Sequence, residues 1–100
     1  MSDIQNYFTV IQALGNSPDG RDLILSTLSS YLSMPNLETP TLGGHTFWYT
    51  IADHKGWKVQ QNKITKHVRI LDEHLQRVAW GSRHEMDIAM EHAADLINRL

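Results

Sequence analysis

Cysteine is absent from the 100 residues. That excludes disulfide staples, thiol nucleophiles and every cysteine-ligated zinc or iron–sulfur centre. No stretch approaches eighteen consecutive apolar residues and the N-terminus is polar, so neither a transmembrane span nor a secretory signal is predicted, and the cytoplasm is the expected compartment. There are three prolines, and two of them, Pro35 and Pro40, fall close together between more regular stretches. Basic residues are nearly missing from the first half. Over 1–53 Arg21 stands alone against Asp3, Asp19, Asp22, Glu38 and Asp53.

The missing bases are concentrated further on. Lys55, Lys58, Lys63, Lys66, Arg69, Arg77 and Arg83 face only Asp72 and Glu73 over 54–84, while 85–100 is acidic again. A formal net charge of −2 therefore conceals a positive middle between negative ends. Hydrophobic content of 41% and charged content of 20% describe an ordinary globular chain. Its length gives one domain, 1–100, read as a helical pair 3–32, a linker 33–45 and a helix/meander/helix unit 46–100.

Local patterns give the elements. Ser2 and Gln5 fit a capping box, and Ile4, Tyr7, Phe8, Ile11 and Leu14 recur at helical spacing up to Gly15. Asn16, Ser17 and Pro18 open a second helix along Ile24, Leu25, Leu28, Tyr31 and Leu32, joined so tightly to the first that the two should pair antiparallel. Pro35, Pro40 and Gly43-Gly44 punctuate the linker. Residues 46–55 satisfy two periods: Phe47, Trp48, Ile51, Ala52 and Lys55 have helical spacing, whereas Phe47, Tyr49 and Ile51 alternate as in a strand. A short third helix is the preferred reading, an additional strand the alternative.

The stretch 57–81 alternates with period two in three segments separated by Asn62–Lys66 and Asp72–Gln76, which predicts a three-stranded antiparallel meander. In that register Trp57, Val59, Val68, Ile70, Val78 and Trp80 face the helices, and Lys58, Arg69 and Arg77 face solvent. Ser82 and Glu85 form a second capping box, opening a long C-terminal helix lined by Met86, Ala89, Met90, Ala93, Leu96, Ile97 and Leu100. The fold class is α+β: two N-terminal helices, a short third helix or extra strand, a three-stranded antiparallel meander and a long C-terminal helix.

Signatures of chemistry are scarce. His45, His54, His67, His74, His84 and His92 never form HxH or HExxH, so no metal site is assigned. There is no G-x-S-x-G elbow, no carboxylate pair placed for hydrolysis and no phosphate-cradling glycine loop. Catalytic residues and cofactors are both read as none, and the chain as a non-enzyme.

Lys58, Lys63, Lys66, Arg69, Arg77 and Arg83 form the candidate binding surface, with Lys55 and His67 nearby. Such a surface can follow a phosphate backbone. Read as helix, meander, helix, residues 46–100 resemble double-stranded-RNA-binding domains in topology. That family carries a basic cluster at the start of its final helix, where this chain has S82-R83-H84-E85-M86-D87. Its Gly-Pro-x-His turn has no counterpart in Asn62–Lys66. The acidic flanks oppose non-specific phosphate binding, so the expected function is a small non-catalytic macromolecule-binding protein, with a protein partner or self-association as a homodimer ahead of nucleic acid. No membrane and no small-molecule substrate are inferred.

Overall fold

A computed structural model describes residues 3–16, 18–32, 39–40 and 47–99. Ser2, Ser17, Leu100, His45, Gly43-Gly44 and all of the predicted linker except Thr39 and Pro40 lie outside the described residues. The class is α+β, with an antiparallel sheet backed on one face by helices.

Helix α1 spans Asp3–Asn16 and buries Tyr7, Val10, Ile11 and Leu14. Its buried stripe is rotated slightly from the expected one, since Phe8 is exposed and Val10 takes its place. A 3-10 turn, Pro18–Gly20, leads into helix α2, Arg21–Ser29, whose buried residues are Ile24 and Leu28. This second helix stops before Tyr31 and Leu32, which were expected to extend it. Helix α3, Arg83–Arg99, presents Met86, Ala89, Met90, Ala93 and Ala94 to the core. Its start has the reciprocal geometry of a capping box. The Glu85 N–H donates to Ser82 Oγ at 3.1 Å and the Ser82 N–H to Glu85 Oε1 at 3.3 Å. Both N-terminal helices pack on α3, while α1 also lies on strands β2 and β3 and α2 on β5.

The sheet contains β1 (Thr39–Pro40), β2 (Trp48–His54), β3 (Trp57–Asn62), β4 (Val68–Leu71) and β5 (Gln76–Gly81), in the order β1-β5-β4-β3-β2. The expected three-stranded meander is thus part of a four-stranded one, edged by the two-residue β1. The preferred helix at 46–55 is overturned: 48–54 is a strand, paired with β3 from Trp48↔Asn62 to His54↔Trp57. The resemblance to double-stranded-RNA-binding domains goes with it, because the helix that should precede the meander is missing.

Two features explain the strand. Lys55 and Gly56 both have positive φ, 52° and 89°, and close a two-residue hairpin turn whose twist suits the flanking strands. In addition, the register slips between Thr50 and Ala52. That bulge puts Tyr49 and Ala52, three residues apart, on the same face, whereas Trp48 and Ala52, which share a face in the helical pattern, lie on opposite faces of the sheet.

A second bulge, between Ile70 and Leu71 in the β4–β5 ladder, changes the assignment of faces. Ile70 pairs with Ala79, and both are buried in the core with Val59, Val68, Val78 and Trp57. Arg69 pairs with Trp80 on the opposite face. Trp80 therefore leaves the core face on which simple alternation places it, because one extra residue inverts the side chains that follow.

Candidate functional site on the outer face of the sheet

The face turned away from the helices is built in transverse rows. One row runs Asp53, Lys58, Leu71, Arg77, and the next Thr50, Gln60, Arg69, Trp80, with each neighbour taken from the strand register. Trp48 stands beyond them opposite Asn62. Aromatic and cationic side chains interleave here. The Arg69 guanidinium carbon lies 3.9 Å from the centroid of the Trp48 ring, and that of Arg77 lies 4.3 Å from the Trp80 ring. His67 meets the edge of Trp80 at 5.7 Å. Stacking on an indole holds a guanidinium in one plane while leaving its N–H edge directed sideways.

Arg69 was expected to point into water. Instead it is only 8% exposed. Its Nε and Nη2 both donate to Gln60 Oε1, at 3.0 and 2.8 Å, and Gln60 Nε2 donates in turn to Thr50 Oγ1 at 3.2 Å. Burial, and then the charge of Arg77, lower the Arg69 pKa. Among the described residues neither Arg69 nor Arg77 has a carboxylate within ion-pair distance. The Nε of Arg77 is buried and has no hydrogen-bond partner among the described residues.

The other predicted surface residues are dispersed. Lys58 shares the outer face, one strand from Leu71. Lys63 and Lys66 are exposed in the turn between β3 and β4, where Asn62 Oδ1 accepts the N–H groups of Ile64 and Thr65 at 2.8 and 2.9 Å. Lys55 sits in the β2–β3 turn at the far end of β3. Arg83 is on the helical side. It donates to Asp87 Oδ1 at 2.8 Å and to Gln61 Oε1 at 3.2 Å, so it does not belong with Arg69 and Arg77.

That helical-side cluster was not anticipated from sequence. Tyr7 Oη donates to Asp87 Oδ1 at 2.7 Å, and Tyr49 Oη to Gln61 Oε1 at 2.5 Å. Arg83 thereby joins α1, α3, β2 and β3 through hydrogen bonds that satisfy one another. The only local signal for it was the i,i+4 spacing of Arg83 and Asp87. A further tie links the β4–β5 turn to α2: Trp57 Nε1 donates to Glu73 Oε2 at 2.5 Å, and Arg21 lies over the Trp57 ring with Nη1 3.7 Å from Glu73 Oε1. Both clusters consist of mutually paired groups and serve to lock elements together.

Among the described residues no group of three histidines or carboxylates is close enough to hold a metal ion. Nor is any described helix long and apolar enough to cross a membrane. Compared with known proteins, the chain matches no family model, no curated protein and no solved structure.

Proposed function

We propose that this chain is a small non-catalytic binding protein of the cytoplasm, and that it docks a protein partner on the outer face of its sheet around Trp48, Lys58, Arg69, Arg77 and Trp80. One observation supports this above the others: two tryptophan–arginine stacks share a face, and neither arginine has an acid of its own among the described residues. Tryptophan and arginine are over-represented among the residues that dominate binding energy in protein interfaces, the indole through large rigid contact area and the guanidinium through directed hydrogen bonds. The charge of the face selects a partner whose docking segment is acidic.

Nucleic acid is the second reading, favoured by Lys63 and Lys66 in the turn that continues the same strands. It requires a continuous track of cations matched to successive phosphates. Arg83, which the sequence placed in that track, is engaged with Asp87 on the other side of the sheet.

The test is affinity capture from an extract of the source cells, with and without nuclease, using wild type, K58A/W80A on the outer face and E91A/D95A on the exposed side of α3. Retention of a defined protein that survives nuclease, persists in E91A/D95A and is lost in K58A/W80A supports the assignment. Retention that disappears with nuclease selects the second reading. Equal retention by K58A/W80A refutes the docking face.

A further inference from the structure

We infer that Arg69 and Arg77 form a subsite for a carboxylate side chain of the partner, a refinement that rests on the docking face proposed above. Arginine is the cation whose planar N–H fork matches a carboxylate in two parallel hydrogen bonds. Here two such forks lie on one sheet face, on the adjacent strands β4 and β5. Each is stacked on an indole, Arg69 on Trp48 and Arg77 on Trp80. Their orientation is thus fixed before any ligand arrives, which reduces the entropy lost on binding.

The hydrogen-bonding count points the same way. A guanidinium has five donors. Arg69 directs Nε and Nη2 at a single neutral acceptor, Gln60 Oε1, although the residue is 8% exposed. Arg77 has a buried Nε with no acceptor among the described residues. Buried charges in proteins are ordinarily paired, and a buried donor without a partner is a rarity that calls for an occupant. Arg77 raises the cost further, because its charge acts on Arg69 from the same face. An oxyanion between the two relieves the repulsion and accepts the unused hydrogens together. Asp53 is in the same transverse row as Lys58, at the outer edge of the sheet, separated from Arg69 by β3 and from Arg77 by β3 and β4, and it pairs with neither. The site is accordingly a point receptor for one anionic group, as an aspartate or glutamate side chain supplies, and lacks the length of a phosphate track.

The experiment follows the side-chain Nε–Hε resonances of Arg69 and Arg77 in 15N-labelled full-length protein. The probes are hexaglutamate, hexaglutamine and a hexathymidine oligonucleotide at low ionic strength. Hexaglutamate should shift both resonances saturably, and added salt should weaken it. Hexaglutamine should leave both in place. Arg77→Gln should weaken hexaglutamate about tenfold or more, since it removes one side of a desolvated charge contact. Arg69→Lys, which keeps the charge and loses the fork, should weaken it as well, and circular dichroism verifies that both variants fold.

Equal shifts with hexaglutamine, or none with hexaglutamate, overturn the carboxylate subsite. Tighter binding of hexathymidine overturns it in favour of a phosphodiester. Failure of the subsite is separable from failure of the docking face. A partner captured through Trp80 but held equally well by Arg77→Gln removes the first and leaves the second standing.

Discussion

Replacing Gln60 by Leu together with Arg69 by Met should leave this protein within about 1 kcal/mol of wild-type stability or above it, although it removes a buried charge-assisted hydrogen-bond pair. The two bonds from Arg69 to Gln60 Oε1 contribute about 1.5–3 kcal/mol in the usual net accounting for a charged donor. The stack on Trp48 adds about 0.5–2 kcal/mol. Against these stands the desolvation of a guanidinium that is 8% exposed and has no counter-ion among the described residues, several kcal/mol even after relaxation. Repulsion from Arg77 acts in the same direction. The favourable and unfavourable contributions are of equal size, so the double variant should fall within about 1 kcal/mol of wild type or above it. Arg69→Met alone should be worse than the double, because it strands the Gln60 carbonyl without a donor at about 1–3 kcal/mol. For a domain of this size each kcal/mol moves Tm by about 4–8 °C, so the single and double variants should be clearly separated in a thermal melt. Far-UV circular dichroism and urea titration measure both. A double variant that loses more than about 2 kcal/mol refutes the reasoning, since Arg69 would then be retained for the fold and not for a ligand.

Three further substitutions test the packing. Gly15→Ala should destabilise by about 1 kcal/mol despite alanine's better helix propensity, because the new Cβ would lie 2.9 Å from His54 Cδ2 and 3.0 Å from the His54 carbonyl oxygen, which is backbone; a stability gain in urea titration contradicts the contact of α1 with β2. Glu73→Ala removes the acceptor of the Trp57 indole and the carboxylate beside Arg21, and should lower stability by about 1–2 kcal/mol; an unchanged melt would mean that the β4–β5 turn is not tied to the helices. Ser82→Ala should lower it by about 1 kcal/mol through loss of the cap on α3, measurable in the same titrations.

Where each residue's local context agrees with its tertiary one, the sequence was readable. The alternation of Val59, Val68 and Ile70 with polar neighbours matches the sheet, because on these strands period two is unbroken. Ser82 and Glu85 announced the start of α3, because a cap is a four-residue device that depends on nothing distant. The misreadings fall at bulges. Residues 48–54 were misread because the slip at Thr50/Ala52 breaks the two-residue repeat that marks a strand and leaves the helical spacing of Trp48, Ile51 and Ala52, which the sheet does not use. The exposure of Arg69 was misjudged for another reason. Alternation gives the side of the sheet but says nothing of what lies alongside: Trp48 lies against that side chain, and Trp80 and Arg77 stand on the neighbouring strand of the same face. Arg83 was misplaced because a count of bases along the chain ignores the tertiary partner Gln61, twenty-two residues away.

The bulge in β5 makes the candidate site. With regular pairing from Ile70↔Ala79 onward, Leu71 would oppose Val78; in the protein it opposes Arg77. Val78 is the inserted residue, and it remains buried in the core. Without the bulge, with Val78 taken into regular pairing, the alternation that places Trp80 outward would direct Arg77 inward toward the helices, and a guanidinium in that core would cost several kcal/mol. With it, Arg77 and Trp80, three positions apart in a strand, come to the same face and stack. Bulges characteristically re-aim side chains next to binding sites. Deleting Val78 removes the bulge and leaves Arg77 two positions from Trp80, so regular alternation keeps both on the outer face. The core loses a buried valine, whereas the arginine–indole pair keeps its shared face. The shortened chain should be destabilised by about 2–5 kcal/mol, the range of an ordinary large-to-small core substitution. Replacing Val78 by Ala keeps the residue count and hence the inversion. That variant should lose stability within or below this range while Arg77 and Trp80 keep their stack, visible as an unchanged Arg77 Nε–Hε shift.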